Sequence, residues 1–223
     1  MSLPRYAPEI LCPAARVRPL RRTLFFRALP SPILTFFGGN LSSVSFSQDF
    51  FRRVRRWFDW TGGEADAVLK TKLDGASHKL AACVAAALEK ASPSTQLVLG
   101  GFSQGAIVAL HALTSAEEGA TPALSASRRP AGLIQLSAQA PREAVTQMKT
   151  ASLSGVRLLV AAGTADEIAP MDMGEKVLEA CTHADALADP MIKYDGAHEV
   201  TKDVADAVGT FIDSLAEGAL PVD

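Results

Sequence analysis

An apolar run, Leu97-Val98-Leu99, ends in Gly100-Gly101-Phe102-Ser103-Gln104-Gly105-Ala106 and passes directly into a second apolar run from Ile107 to Leu113. This Gly-x-Ser-x-Gly arrangement reads as a strand, a sharp turn and a helix, the context of a nucleophile elbow. Such a turn holds its serine in a strained backbone conformation, with the hydroxyl lifted clear of the sheet. Side chains two residues to either side would strike the strand or the helix, so glycine stands at both places. The free N–H groups and partial positive charge of the helix start lie beside the serine. The feature therefore constrains the fold to one with a buried strand feeding a buried helix, and it nominates Ser103 as a nucleophile.

The pattern around the elbow extends this reading. Leu69, Leu73, Leu80, Val84 and Leu88 recur at helical intervals within 64–91 and predict a long helix, with Gly75 as a place where it breaks in two. Short apolar runs at 96–100, 131–136, 156–161 and 191–194 predict strands, and 33–37 reads as a short strand or a buried loop. Helices are expected at 104–113, 142–150, 171–182 and 200–215. A short strand would also fit at 9–12. Strands alternating with helices predict an α/β fold with a mostly parallel sheet and flanking helices. Ligands of such sheets bind beyond the carboxyl ends of the strands.

Composition sets the outer limits. A chain of 223 residues is expected to form one large domain. Chains of this size bury roughly 70–75% of their unfolded surface and need no covalent staples. No apolar run reaches the roughly 18 residues of a membrane span. Cys12, Cys83 and Cys181 are odd in number and lack metal-ligand spacing, which suggests a reducing compartment and incidental thiols. Residues 1–60 hold ten arginines against Glu9, Asp49 and Asp59, a balance of +7, while the remainder carries −9. This basic beginning reads as a solvated face, as an organelle-targeting segment, or as sequence outside the folded domain. Its arginines are not set in a nucleic-acid-binding motif.

A serine hydroxyl needs a base to take its proton, and the base needs an orienting carboxylate. On folds with this elbow the order is serine, acid, histidine. The chain offers Ser103, Asp166 and His198 in that order. Four histidines are present. His78 precedes the serine in a long helix, His111 lies in the buried elbow helix, and His183 ends a helix. His198 sits in a glycine-containing loop after a strand, downstream of the acid. Glu167 and Asp195 compete for the acid role; Asp166 is favoured because a strand and Gly163 deliver it.

These residues also carry a resemblance. Gly100 to Ala106, the acid loop Gly163-Thr164-Ala165-Asp166-Glu167-Ile168-Ala169-Pro170 and the loop Gly196-Ala197-His198-Glu199-Val200 resemble the acyl-protein thioesterase / phospholipase–carboxylesterase branch of the α/β-hydrolases. Pro13-Ala14-Ala15-Arg16-Val17-Arg18-Pro19 is similar to that branch's Pro-x-Ala-Pro-x-Arg-Pro segment, and Trp57-Phe58-Asp59 to its Trp-(Phe/Tyr)-Asp segment. The resemblance is strong over 57–217, patchy over 9–20 and absent over 20–53.

It implies an α/β-hydrolase fold that is N-terminally incomplete: an atypical basic region at 1–56, a catalytic core at 57–217 and a tail at 218–223. It also implies hydrolysis of acyl esters or thioesters, such as S-acylated (palmitoylated) proteins or lysophospholipids, in the cytoplasm. The Gln104 backbone N–H would be one oxyanion donor, with no metal or organic cofactor. The expected partners are an acylated protein or lipid ester and a transiently touched membrane surface, with no nucleic acid.

In that branch a His-Gly-x-Gly-like loop upstream of the Pro-Ala-Pro segment supplies the second oxyanion N–H. Here that loop has no counterpart before Pro13, and Gly38-Gly39 follows the segment, which makes it a poor substitute. Loss of one such donor costs on the order of 10²–10³ in turnover, roughly 3–4 kcal/mol. Two rival readings follow: a catalytically impaired hydrolase-like domain that binds an acyl chain or a partner protein, and a truncated gene product.

Overall fold

The computed structural model describes residues 33–38, 57–59, 66–89, 91, 95–115, 129–139 and 152–217. In chain order the elements are β1 (Ile33–Gly38), α1 (Asp66–Leu88), β2 (Gln96–Phe102), α2 (Gln104–Thr114), β3 (Gly132–Leu136), β4 (Arg157–Gly163), α3 (Met171–His183), β5 (Leu187–Ala188), β6 (Ile192–Tyr194) and α4 (Lys202–Glu217). The strands form one parallel sheet in the order β1-β2-β3-β4-β5, with β6 also pairing β4. The expected α/β architecture is thus present.

The strands read as continuous apolar runs because both faces of the sheet are covered. Side chains alternate between the faces. Leu97, Leu99, Leu133, Leu158 and Val160 join one core with residues of α1, α2 and α3. Val98, Ile134, Leu136, Leu159 and Ala161 join the other, with Val204, Phe211 and Leu215 of α4. Gly132 lets α4 approach β3 closely: a Cβ there would lie 2.7 Å from Leu215 Cδ1.

Most element boundaries fall within two residues of the sequence expectation. Three findings differ. Gly75 does not divide α1, which runs unbroken from Asp66 to Leu88; Leu69, Leu73, Ala76, Leu80 and Val84 bury a continuous stripe that holds the helix across the glycine. The two-residue strand β5 carries too little apolar pattern to stand out in the sequence. The run at 33–37 is a strand, and it lies beside the elbow strand with Ile33 opposite Gln96 and Gly38 opposite Gly101. The sheet therefore takes a strand from the basic N-terminal region. The strand at 9–12, the helix at 142–150, the tail at 218–223 and the rest of 1–56 apart from β1 lie outside the described residues.

His111 is fully buried in α2 and bonds across to α1, with its Nε2 2.8 Å from Asp74 Oδ1. Asp74 also accepts a hydrogen bond from Lys70 Nζ at 3.1 Å. Burial opposes ionisation of Asp74, but the bonds from His111 and Lys70 outweigh it and hold its pKa below the ordinary value. Among the described residues, no helix is long and apolar enough to cross a membrane.

Two outcomes follow from this packing. Gly75 is exposed and a Cβ there meets nothing within 4 Å, so Gly75→Ala stabilises the protein by roughly 0.5–1 kcal/mol, read as a higher thermal midpoint. A carboxylate with a depressed folded-state pKa contributes stability above its unfolded pKa and loses it as pH falls through the folded value. The stability gap between wild type and Asp74→Asn is therefore present at neutral pH and narrows on acidification below about pH 4, as urea unfolding at several pH values would show.

Candidate active site

The carboxyl ends of β2, β4 and β6 deliver the three residues singled out in the sequence. β2 ends at Phe102 and Ser103 makes the turn, with φ 55° and ψ −122°. A positive φ is costly for a serine, on the order of 1–3 kcal/mol, and the surroundings enforce it. The Ser103 N–H donates to the Leu136 carbonyl of β3 at 2.8 Å, and the Ser103 carbonyl accepts from the Ala106 N–H at 3.0 Å. A Cβ on Gly101 would lie 2.2 Å from the Gly105 carbonyl carbon, so only glycine lets the helix fold back so tightly on its strand. Because α2 starts at Gln104, the Gln104 and Gly105 N–H groups have no carbonyl to bond within the helix, and no acidic side chain occupies that first turn.

The Asp166 carboxylate is buried in the loop after β4. Its Oδ1 accepts the N–H groups of Ile168 at 2.9 Å and Ala169 at 2.8 Å, and its Oδ2 lies 2.8 Å from His198 Nδ1. An ionised carboxylate only accepts, so Nδ1 carries a proton, and in the neutral ring Nε2 is the acceptor. Glu167 and Asp195, the competing acids, are both exposed. The His198 ring lies against the Phe102 ring, centroids 4.6 Å apart and planes inclined by 41°. Ser103 thus adjoins the Asp166–His198 pair through its own chain neighbour. No hydrogen bond joins the Ser103 hydroxyl to His198 among the described residues. Such contacts commonly tighten only when substrate is bound.

The other histidines serve elsewhere. His78 is exposed on α1, His111 is the core residue bonded to Asp74, and His183 Nδ1 lies 2.9 Å from the Glu179 carbonyl of its own helix. The Cys181 thiol is pushed up to about 12 by burial, which keeps it protonated and unreactive.

Several supports of the site carry no signal in the sequence. Tyr194 Oη donates to the Glu199 carbonyl at 2.6 Å, one residue beyond His198, and lies 3.0 Å from Ser137 Oγ. Its single proton goes to the shorter contact, so Ser137 is the donor in the other. Burial, aided by the nearby charges of Asp166 and Glu199, raises the phenol above its ordinary pKa and keeps it a donor. Gln139 Nε2 donates to the Ile168 carbonyl at 2.6 Å and braces the acid loop from the end of β3. The two loops also touch directly. Ala165 N–H donates to the Gly196 carbonyl at 3.0 Å, and a Cβ on Gly163 would lie 2.4 Å from that same oxygen.

Residues 47–216 match the profile of the Phospholipase/Carboxylesterase family. The chain belongs to that family. Solved structures agree at the level of the fold. The Bacillus cereus carboxylesterase is 19% identical with a TM-score of 0.60, over 83% of this chain and 88% of that one. A Zea mays acyl-protein thioesterase 2 is 21% identical with a TM-score of 0.51, over 72% of each chain. The Agrobacterium tumefaciens protein Atu2452, of unknown function, is 20% identical with a TM-score of 0.60, over 84% of this chain and 93% of that one. No curated protein matches the chain by sequence. Membership in the phospholipase/carboxylesterase family makes this a hydrolase of the esterase type with an α/β-hydrolase fold.

Within that family's fold the elbow strand has β1 on one side and β3 on the other. Sequence order sets Gly38-Gly39 aside as a source of the second oxyanion N–H. The register nevertheless brings Gly38 level with Gly101, because adjacency in a parallel sheet follows strand order in space and not the position of the Pro13–Pro19 segment.

The supports predict specific losses. Tyr194→Phe leaves the Glu199 carbonyl without its donor and costs about 1 kcal/mol in denaturant unfolding. Gly163→Ala forces the histidine loop away and costs about 1–3 kcal/mol by the same measurement.

Proposed function

We propose that the chain cleaves acyl esters or thioesters through an acyl-serine intermediate, with Ser103 as nucleophile, His198 as base and Asp166 as the carboxylate that orients it. The observation that carries this reading is the hydrogen bond of 2.8 Å between buried Asp166 and half-buried His198 set against Phe102, next to a serine strained to φ 55°. Asp166 and His198 meet at the carboxyl ends of the strands, with the chain neighbour of Ser103 against the imidazole, and family membership supports the reaction class.

In the proposed sequence, Ser103 Oγ attacks the acyl carbonyl carbon while its proton passes to His198 Nε2. Negative charge gathers on the carbonyl oxygen, which the Gln104 N–H stabilises from the start of α2. Asp166 accepts the hydrogen bond from the Nδ1–H throughout and stabilises the imidazolium. The tetrahedral adduct expels the alcohol or thiol, which takes the proton from His198. Water then attacks the acyl-serine with His198 again as base, releasing the carboxylic acid and restoring the Ser103 hydroxyl. In folds of this kind the second oxyanion N–H comes from the loop after the strand beside the elbow. β1 is one of its two neighbours here, and the level of Gly38 with Gly101 favours that side as the source of the donor.

Fitting substrates are S-acylated protein cysteines or lipid esters, met at a cytoplasmic membrane surface. The scheme uses no metal or organic cofactor. The test is turnover of p-nitrophenyl octanoate together with labelling by a fluorophosphonate probe. Wild type is expected to turn over and to label. Ser103→Ala should lose labelling and fall on the order of 10⁴-fold or more in kcat, and Asp166→Asn should fall on the order of 10⁴-fold. Equal labelling of wild type and Ser103→Ala would overturn the assignment. Folded wild type that neither labels nor turns over, yet binds octanoate, would instead mark an acyl-binding domain.

A further inference from the structure

The side chain of Gln104 does something the reaction scheme leaves unused. Its Oε1 accepts the Trp57 N–H at 2.8 Å and its Nε2 donates to the Phe58 carbonyl at 2.9 Å. One amide thereby meets the backbone of two consecutive residues 46 and 47 positions away. The next carbonyl in the segment, that of Asp59, accepts from Lys72 Nζ of α1 at 2.6 Å. Trp57, Phe58 and Asp59 are thus tied through their backbone, twice to the residue after the nucleophile and once to α1. This leaves both rings free to be placed by packing. Trp57 and Phe58 are half-buried and rest against the core that contains α1 and α2.

A surface segment needs no such anchorage for packing alone. Two directed hydrogen bonds to an amide cost that side chain most of its rotamer freedom. What they fix is a spatial relation: the backbone that carries two large apolar side chains is held to the residue whose N–H lies beside Ser103. An acyl group whose carbonyl oxygen meets that N–H must lay its chain along whatever apolar wall stands next to the elbow, and the half-buried Trp57 and Phe58, tied to the side chain of the residue that bears that N–H, are the candidates for it.

We infer that Gln104 is a positioning residue that couples the Trp57–Asp59 strap to the oxyanion donor, and that this strap sets the acyl-chain preference of the site. The inference rests on the serine-hydrolase reading above. The coupling works in both directions. The strap restrains the Gln104 residue, and so the aim of its N–H; Gln104 restrains the strap, and so the wall along the chain.

The test uses the full chain with Gln104→Met, which keeps length and removes both bonds, and Gln104→Glu, which keeps an acceptor for Trp57 and sets a second acceptor against the Phe58 carbonyl. Steady-state kinetics on p-nitrophenyl acetate and octanoate separate the two effects. In both variants kcat is expected to fall about 10-fold on each ester. KM for octanoate should rise about 10-fold while KM for acetate moves less than about 2-fold, because only the longer chain reaches the strap.

A second reading needs no turnover. The sequence has two tryptophans, so Trp60→Phe leaves Trp57 as sole reporter. In that background Gln104→Met should shift Trp57 emission to the red and increase acrylamide quenching. If Gln104→Met does not fold, Lys72→Met, which releases the third tie from the other side, decides the matter. Its octanoate KM should rise in the same direction by a smaller factor, with increased quenching of Trp57. Unchanged ratios of octanoate to acetate KM, or unchanged Trp57 quenching, in a folded variant would overturn the inference. Absence of fluorophosphonate labelling in wild type would instead overturn the hydrolase reading on which it rests.

Discussion

The approach of α2 to β2 at the elbow is the constraint on which the rest of the structure depends. With 2.2 Å between a notional Cβ on Gly101 and the Gly105 backbone, the turn tolerates no side chain at that point. The tightness forces Ser103 to a positive φ and turns the start of α2 toward the space above the sheet. The strain is held in place by the Ser103 N–H bond to Leu136 and by an α2 that is buried from Gly105 to Thr114. A helix this apolar exists only between layers, so the sheet, α1 and the elbow stabilise one another.

The remaining polar groups solve the problem of seating a carboxylate inside an apolar fold. A buried carboxylate is costly unless its oxygens are satisfied. Asp166 has three partners: two backbone N–H groups of its own loop and the His198 ring. His198 in turn is carried by a loop that Tyr194 holds from beneath and that Gly163 allows to lie against the acid loop. These supports come from β3, β4 and β6, neighbours in the sheet. A displacement of any one strand would move the imidazole relative to Ser103. Gln104 extends the same logic outward, linking the elbow to Trp57 and Phe58.

Particular elements show how far the sequence can be read. The strands at 96–102, 132–136 and 157–163 and the helices at 66–88, 104–114 and 202–217 follow from apolar spacing, which reports which residues face a core. Gly75 misleads because a helix-breaking preference of roughly 1 kcal/mol is smaller than the burial of the leucine stripe around it. β5 escapes notice because two exposed residues have no pattern. Within the site, the elbow is legible because its chemistry is local: glycine, serine and glycine at fixed offsets. The choice of Asp166 over Glu167 and Asp195 rests on weak local cues until burial separates them.

The sequence by itself determined the strand–turn–helix around Ser103, the serine, acid, histidine order and the alternation that makes a parallel sheet. Each depends on residues within a few positions of one another, where backbone sterics and periodicity act. The tertiary structure alone decided that Asp166 meets His198 across 32 residues, that Ser137 meets Tyr194 across 57, and that Gln104 reaches Trp57 across 47. It alone set β1 beside the elbow. Those distances are fixed by which strand lies next to which, and strand order arises from how the whole chain covers both faces of its sheet.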